Sequence, residues 1–346
     1  MDIVKLLKEL CESHCPSSRE DMLYSMIKNI FHLFGDIYID NMNNIVIHKK
    51  GRGKGKVMIM AHLDEVFLIV TEICDGGFLK FKGVGIDPKS LVSQEVVIHG
   101  KEKILGIIGI KPSYIMTNDE KNKGVSIDNL LIDTGYSKES LQKIIKVGDF
   151  VTLKGEFVEL LNNNLSCKSI DNRAGITAMY ECAKELNNFS SDLDIYFVCS
   201  CQEEVGHRGA KMVSYNLNPD IGIVIDTTFD SGPMGDKERE NILGNGPIIC
   251  VGPNLHPELN RRIMDIGRKY KIPYGVEVEP GNTGTDAWDI QITLSSIPTL
   301  LLSIPIKYMH TRVEVANLED IKNTGRLIAE FIKELNGKDL EEILCF

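Results

Sequence analysis

The sequence predicts a two-part α/β protein, a layered and mostly parallel sheet whose chain is interrupted by a small β-rich insert. Three observations predict it. Apolar runs of strand length alternate with helical segments before residue 66 and again after residue 163, the order that builds parallel sheets covered by helices. Between them, short alternating or β-branched runs follow one another across Gly-rich turns, the texture of an all-β unit. Carboxylates and histidines stand at the ends of the apolar runs, where open α/β sheets form their sites. The α/β part is read as residues 1–66 and 163–346, and the insert as 67–162.

The chain of 346 residues suits about two domains, and its 43% hydrophobic and 25% charged residues are those of an ordinary globular protein. A net charge of −10 argues against nucleic acid as a partner, which would want a basic face. It is compatible with a site that gathers cations or positively charged substrate ends. Asp2, Lys5, Lys8 and Glu9 interrupt the first turns, so no signal peptide is expected. The apolar run Thr299–Ile306 is too short to span a membrane. The nine cysteines form no CxxC pair, and Cys199 and Cys201 are spaced as C-x-C, poor geometry for a structural zinc knuckle. Reduced thiols, used as core filler in the cytoplasm, are the expectation.

In chain order, residues 2–34 read as helical with a break at His14-Cys-Pro-Ser-Ser18, Ser17 or Ser18 capping the second helix. Strand-like runs follow at 37–40 and 44–48, then a turn, Gly51-Arg-Gly-Lys-Gly-Lys56, that lacks the phosphate-loop pattern. Val57-Met-Ile-Met-Ala-His-Leu-Asp-Glu65 is a continuous apolar strand, so a central one. The insert predicts strands at 67–71, 78–81, 95–99, 104–110 and 150–153, one helix over 137–146, and a polar loop at 111–124. With no clustered ligands it is assigned to assembly and substrate access. From Leu165 helices and strands alternate again. A helix opens at Ser169-Ile-Asp-Asn-Arg-Ala-Gly175, capped by Ser169 or Asp171, and runs to about Leu186. Strands are expected at 194–200, 221–226, 248–252 and 299–304, and helices near 210–215, 256–270 and 318–335.

The chemistry centres on Cys199-Ser-Cys-Gln-Glu-Glu-Val-Gly-His-Arg-Gly-Ala210, an apolar strand running into two adjacent carboxylates. Adjacent carboxylates repel unless something neutralises them. At a buried strand end the neutraliser is a cation. His62, Glu203, Glu204, Asp226 and His310 all lie at such ends, with Asp171 at a helix start. Two imidazoles and four carboxylates suit zinc, cobalt or manganese. The set exceeds what one metal needs. Two metals about 3.5–4 Å apart, sharing a bridging carboxylate, use it economically and leave one Glu as general base. The spacing of Asp64 from His62 allows the carboxylate to fix the imidazole tautomer.

The fragments Ala61-His-Leu-Asp-Glu65, Ile170-Asp-Asn-Arg-Ala-Gly175, Gln202-Glu-Glu-Val-Gly-His-Arg-Gly-Ala210, Ile225-Asp226, Gly284-Thr-Asp-Ala287 and Tyr308-Met-His-Thr311 resemble those of the M42 family of di-metal aminopeptidases, in order and along essentially the whole chain. Gly109-Ile-Lys-Pro112 and Ile132-Asp-Thr-Gly135 extend the likeness into the insert. The family also carries glutamyl, deblocking and endoglucanase labels. The resemblance implies a three-layer, zinc-peptidase-like catalytic domain with a PDZ-like or barrel-like insert. It implies that His62 and Asp226 hold one metal and Glu204 and His310 the other, with Asp171 bridging. Glu203 would be the base for a metal-bridging hydroxide, Asp64 the residue orienting His62, and Asp286 a pocket residue. It further implies dimers that build a tetrahedral dodecamer acting on short peptides. His14-Cys-Pro-Ser-Ser18, Thr311 and His207 depart from the usual pattern without removing a ligand. Two other readings are an endoglucanase-type glycoside hydrolase, which would leave both histidines unexplained, and a catalytically silent oligomeric scaffold.

Overall fold

The chain opens with two helices, Ile3–Glu12 and Tyr24–Phe31, ahead of strands β1 (Asp36–Ile39), β2 (Ile45–Lys49) and β3 (Lys56–His62). This computed structural model describes residues 2–233, 235, 240–335 and 340. Ile3, Leu6, Leu7, Leu10 and Cys11 are buried at helical spacing, and the Asp2 side chain accepts from the Val4 N–H to start the first helix. The second helical stretch begins as a 3₁₀ turn, Glu20–Leu23, with no serine cap. Ser17 instead donates its hydroxyl to Asp64 at 2.5 Å, and the Ser18 N–H donates to Glu20 at 3.0 Å. The expected cap is lost because both serines are drawn into contacts distant in sequence or local to the break.

Strands β4 (Phe67–Ile73), β5 (Phe78–Val84), β6 (Glu95–His99), β7 (Lys103–Ile110), β8 (Leu130–Asp133) and β9 (Phe150–Leu153) close into a barrel in the order β4-β5-β8-β7-β6-β9. Burial alternates residue by residue along β7, so one face fills the barrel and the other meets solvent. Closure leaves the insert no free edge. β8 was not expected from the sequence. Nor was the short helix Asn118–Asn122, which Thr117 and Glu120 open with a capping box inside the expected loop.

Strands β10 (Val158–Glu159), β11 (Asn164–Cys167), β12 (Asp194–Ser200), β13 (Ile221–Phe229), β14 (Ile248–Val251), β15 (Gly275–Val278), β16 (Thr299–Lys307) and β17 (Glu314–Asn317) join β1–β3 in one sheet of eleven. Its main path is β1-β2-β12-β3-β13-β16-β17-β11-β10, with β14 on β16 and β15 on β14. The four central strands β12, β3, β13 and β16 are parallel, and antiparallel pairs flank them. β10, β11, β15 and β17 were not read from the sequence. They are four residues or fewer, too short to show a period.

β3 shows why the sheet sits in the middle of three layers. Val57, Ile59 and Ala61 join the core under the helices Ile3–Glu12, Ile170–Glu185 and Leu318–Glu334. Met58 and Met60 join the opposite core with Ala210, Val213, Ala287 and Ile290. A strand buried on both faces reads as a continuous apolar run, and this one does. Register then aligns the strand ends. Ser200 of β12 lies level with His62, and β13 pairs Val224 with Met60, which brings Asp226 to the height of His62.

Candidate metal centre

Parallel strands end on one side of the sheet, and the site forms there. β3 delivers His62 and β13 delivers Asp226. The chain leaving β12 carries Glu203 and Glu204, the loop after β16 carries His310, and the start of the Ile170–Glu185 helix carries Asp171. The structure brings these six side chains together. His62 Nε2 lies 3.2 Å from Asp171 Oδ1, 3.7 Å from Asp226 Oδ1 and 3.9 Å from Glu203 Oε2. His310 Nε2 lies 3.3 Å from Asp171 Oδ2 and 3.5 Å from Glu204 Oε1. Three groupings place ligand atoms within 4.8 Å of one another: His62, Asp171, Asp226; Asp171, Glu204, His310; and His62, Glu203, Glu204.

Backbone carbonyls aim both imidazoles. His62 Nδ1 sits 3.2 Å from the Asp64 carbonyl and His310 Nδ1 2.7 Å from the Gly85 carbonyl. A carbonyl only accepts, so each Nδ1 carries a proton, and Nε2 is the nitrogen turned to the cleft, able to bind a cation once its own proton leaves. Gly85 has φ 71, and a Cβ there would fall 2.9 Å from Val66 Cγ1 and 3.4 Å from His310 Nδ1. This corrects the expectation that the insert takes no part in the chemistry, because Gly85 follows directly on barrel strand β5.

Asp64 lies 3.6 Å from His62 Nδ1, too far for a good hydrogen bond. Its carboxylate is occupied with the backbone N–H groups of Glu203 at 3.1 Å and Glu204 at 3.3 Å and with the Ser17 hydroxyl. Burial alone would raise Asp64, but the His62 contact and charge, with Ser17 and the Glu203 N–H, hold it below the usual carboxylate value.

Two supports were missed in the sequence. Glu314 accepts the Asp171 N–H at 3.0 Å and the His310 N–H at 2.6 Å. Glu65, buried, pairs with Lys168 Nζ at 2.6 Å, and Ser169 donates its hydroxyl to the same carboxylate. Ser169 takes φ 58 and makes no side-chain cap, and Asp171 lies inside the helix start. The expected N-cap role therefore falls to neither, because both side chains are claimed by the site. The only sequence signals were the nearness of Glu65 to His62 and of Glu314 to His310.

Asp286 is buried and accepts from Ser200 Oγ at 2.6 Å, while Thr283, Gly284 and Thr285 form the cleft wall beside it. Thr285, not Asp286, caps the short helix that follows.

The acids crowd one another. Burial, then the charge of Glu203, pushes Asp286 up to about 7, and burial, then the charge of Asp171, pushes Glu314 up to about 8. Burial raises Glu204 and Asp226 well above their usual values; the nearby imidazole, His310 for the one and His62 for the other, opposes it most, and neighbouring carboxylates add to the rise. Burial works against a charged His310, but Asp171 and Glu204 outweigh it and carry the imidazole to about 10. Glu204 Oε1 is buried without a hydrogen bond. No lysine or arginine among the described residues lines the cleft, which measures about 340 Å³. Buried oxygens and imidazole nitrogens without a basic side chain to answer them fit a divalent cation.

A candidate cation site of this make-up, on the side where the parallel strands run out and open to a cleft, suits a metal-dependent hydrolase. The chain belongs to the M42 glutamyl aminopeptidase family, whose profile matches residues 43–327, and is a peptidase. It is 33% identical to a lysyl aminopeptidase of Pyrococcus furiosus, over 97% of this chain and 98% of that one. An aminopeptidase from Desulfurococcus kamchatkensis superposes with a TM-score of 0.92 at 33% identity, covering 99% of this chain and 98% of that one. The TET1 peptidase of Pyrococcus horikoshii, which can assemble into a tetrahedron or a large octahedral shell, gives 0.85 at 30% identity, covering 96% and 100%. Among the described residues no helix is long and apolar enough to cross a membrane.

Proposed function

We propose that this aminopeptidase removes N-terminal residues from short peptides with two divalent metal ions held on either side of Asp171. One observation carries the reading: Asp171 turns one carboxylate oxygen toward each imidazole, Oδ1 3.2 Å from His62 Nε2 and Oδ2 3.3 Å from His310 Nε2. Asp226 completes the first set and Glu204 the second. Imidazole with carboxylate suits zinc or cobalt, with manganese next. When bound, such metals polarise the scissile carbonyl and acidify the attacking water.

The rest falls to the chain. Both metal sets are complete without Glu203, whose Oε2 approaches His62 to 3.9 Å. It is assigned as the general base that takes the proton of the attacking water and returns it to the leaving amine. Asp64 fixes the backbone of Glu203 and Glu204, and its own backbone carbonyl orients His62. Asp286, buried beside the wall, accepts the Ser200 hydroxyl and is assigned to shaping the pocket from behind Thr283, Gly284 and Thr285. Leu105 and Ile107 expose apolar surface on the barrel, which supports a homo-oligomer, a dimer building to a tetrahedral dodecamer, and cysteines that form no disulfide among the described residues suit the reducing cytoplasm.

The test is chelation followed by add-back of zinc, cobalt or manganese, assayed on a panel of aminoacyl anilides. Activity should vanish and return. Full activity in rigorously metal-free protein would end the reading. Light scattering reads the assembly, a mass of twelve subunits being expected.

A further inference from the structure

The side chain of Glu203 does not hang free in the cleft. Its Oε1 lies 3.2 Å from His207 Nε2, and the other ring nitrogen, Nδ1, lies 3.1 Å from Asp289 Oδ2. Asp289 in turn has Lys211 Nζ 3.7 Å from its second oxygen. The local fold makes the contact. The N–H groups of Gly206 and His207 both donate to the Glu203 carbonyl, at 2.9 and 3.0 Å, and His207 takes φ 53. That tight turn folds the ring back over the Glu203 side chain, four residues behind it. The short helix Asp286–Ile290 brings Asp289 to the far edge of the ring. The side chains of Glu203, His207 and Asp289 are 9%, 15% and 19% exposed, so the chain of contacts is shielded, not a solvated surface pair.

We propose that His207, braced by Asp289, is a positioning residue for the catalytic base, clamping Glu203 Oε1 so that Oε2 faces the water and the scissile bond. The proposal rests on the assignment of Glu203 as base. Ionised carboxylates only accept hydrogen bonds. An imidazole whose two nitrogens each face a carboxylate oxygen satisfies both only by donating from both, as imidazolium. Held this way, Glu203 keeps one oxygen in the clamp and one for proton transfer, instead of swinging between its own metal-side neighbours and the cleft mouth. The adjacent cation also stabilises the carboxylate that re-forms when the proton leaves for the amine. His207 is not part of the cleft wall. It acts through Glu203.

Two measurements on the whole chain decide it. The first needs no turnover. With ring-¹⁵N-labelled histidine in metal-free protein near neutral pH, His207 should give the signature of an imidazolium with both nitrogens protonated, assigned by its loss in His207→Gln. A neutral-ring signature would overturn the proposal, whatever the enzyme hydrolyses. The second is kinetic. With metal content held at the wild-type level, His207→Phe should lower kcat about 10–100-fold, the usual size for an outer partner of a catalytic group, while KM changes less than twofold. Asp289→Asn, which can still orient the ring but no longer balances its charge, should lose less. Should His207→Phe not fold, His207→Gln and Asp289→Asn carry the same comparison. Wild-type kcat in the His207 variant, or a loss confined to KM, would overturn the clamp. A wild-type protein that hydrolyses no anilide would instead remove the base assignment, leaving the nitrogen signature to report the contact alone.

Discussion

Glu314 holds Asp171 by its backbone: the carboxylate accepts the Asp171 N–H at 3.0 Å, and its other oxygen takes the His310 N–H at 2.6 Å. One buried side chain thus fixes the spacing between Asp171, the proposed shared ligand, and His310 of the proposed second set, although 143 residues separate Glu314 from Asp171. Glu314→Ala should weaken metal binding or activity about 10–100-fold, as loss of an outer partner does. Metal titration of the variant checks it. Unchanged affinity would show that the two backbones are held by something else.

Glu203→Gln should lower kcat by about 10²–10⁴-fold, the usual contribution of a general base, with both metals still bound. Metal analysis beside the kinetics separates this from ligand loss. A variant that loses metal in step with activity would make Glu203 a ligand.

Asp171→Ala should lower metal content below that of any other single ligand variant, because both sets draw on Asp171. His62→Ala and His310→Ala should each strip mainly one ion. Elemental analysis after dialysis reads the stoichiometry. Two ions retained without Asp171 would sink the bridging geometry.

Lys168→Met breaks an ion pair in which both side chains are buried, 2% and 3% exposed. It leaves Glu65 buried without its ion-pair partner, kept only by the Cys15 N–H, the Ser169 hydroxyl and the more distant charge of Arg173, at a cost of about 3–5 kcal/mol. The double variant with Glu65→Gln should recover part of that loss, since replacing a whole buried pair is far cheaper than halving it. Urea unfolding of the metal-free proteins gives both numbers.

The pH dependence of the metal-free protein follows from its raised acids. Glu20 and Asp286 sit at about 7 and Glu314 at about 8, each raised chiefly by burial, against ordinary values near 4. Between the ordinary and the raised value the folded chain keeps protons that the unfolded chain has released. Stability therefore falls as pH rises from about 4.5 to 8. His310, carried to about 10, adds a loss of the same sign above 6.5. Glu65, held down near 2 by Lys168 and Arg173 against its burial, contributes stability above 4.5 that is lost as pH falls toward 2. Melting of chelated protein should peak near pH 5 and decline toward 8. Metal should rescue the upper end most, because its ligands bind deprotonated. A melting temperature rising from pH 5 to 8 without metal would contradict this.

Much of the candidate site was legible because its imidazoles and carboxylates sit where apolar runs stop. His62 ends a strand, and Glu203, Glu204 and His310 follow others, whose burial on both faces wrote them as unbroken hydrophobic stretches; Asp226 closes the apolar run of β13, although the strand itself continues to Phe229. The supports were not legible. Glu314 belongs to a four-residue strand with no period to read, Gly85 acts through a carbonyl that every residue possesses, and Ser169 and Asp171 resembled ordinary caps until tertiary contacts claimed them.

The sequence by itself determined the alternation of elements, the candidate ligand types and their place where apolar runs stop, because burial and side-chain chemistry are local properties written residue by residue. Only the tertiary structure decided which partners meet. Sheet register brought Asp226 level with His62, barrel closure carried Gly85 to His310, and a left-handed turn laid His207 against Glu203. Distances between residues remote in the chain depend on packing summed over the whole fold, which no short stretch of sequence contains.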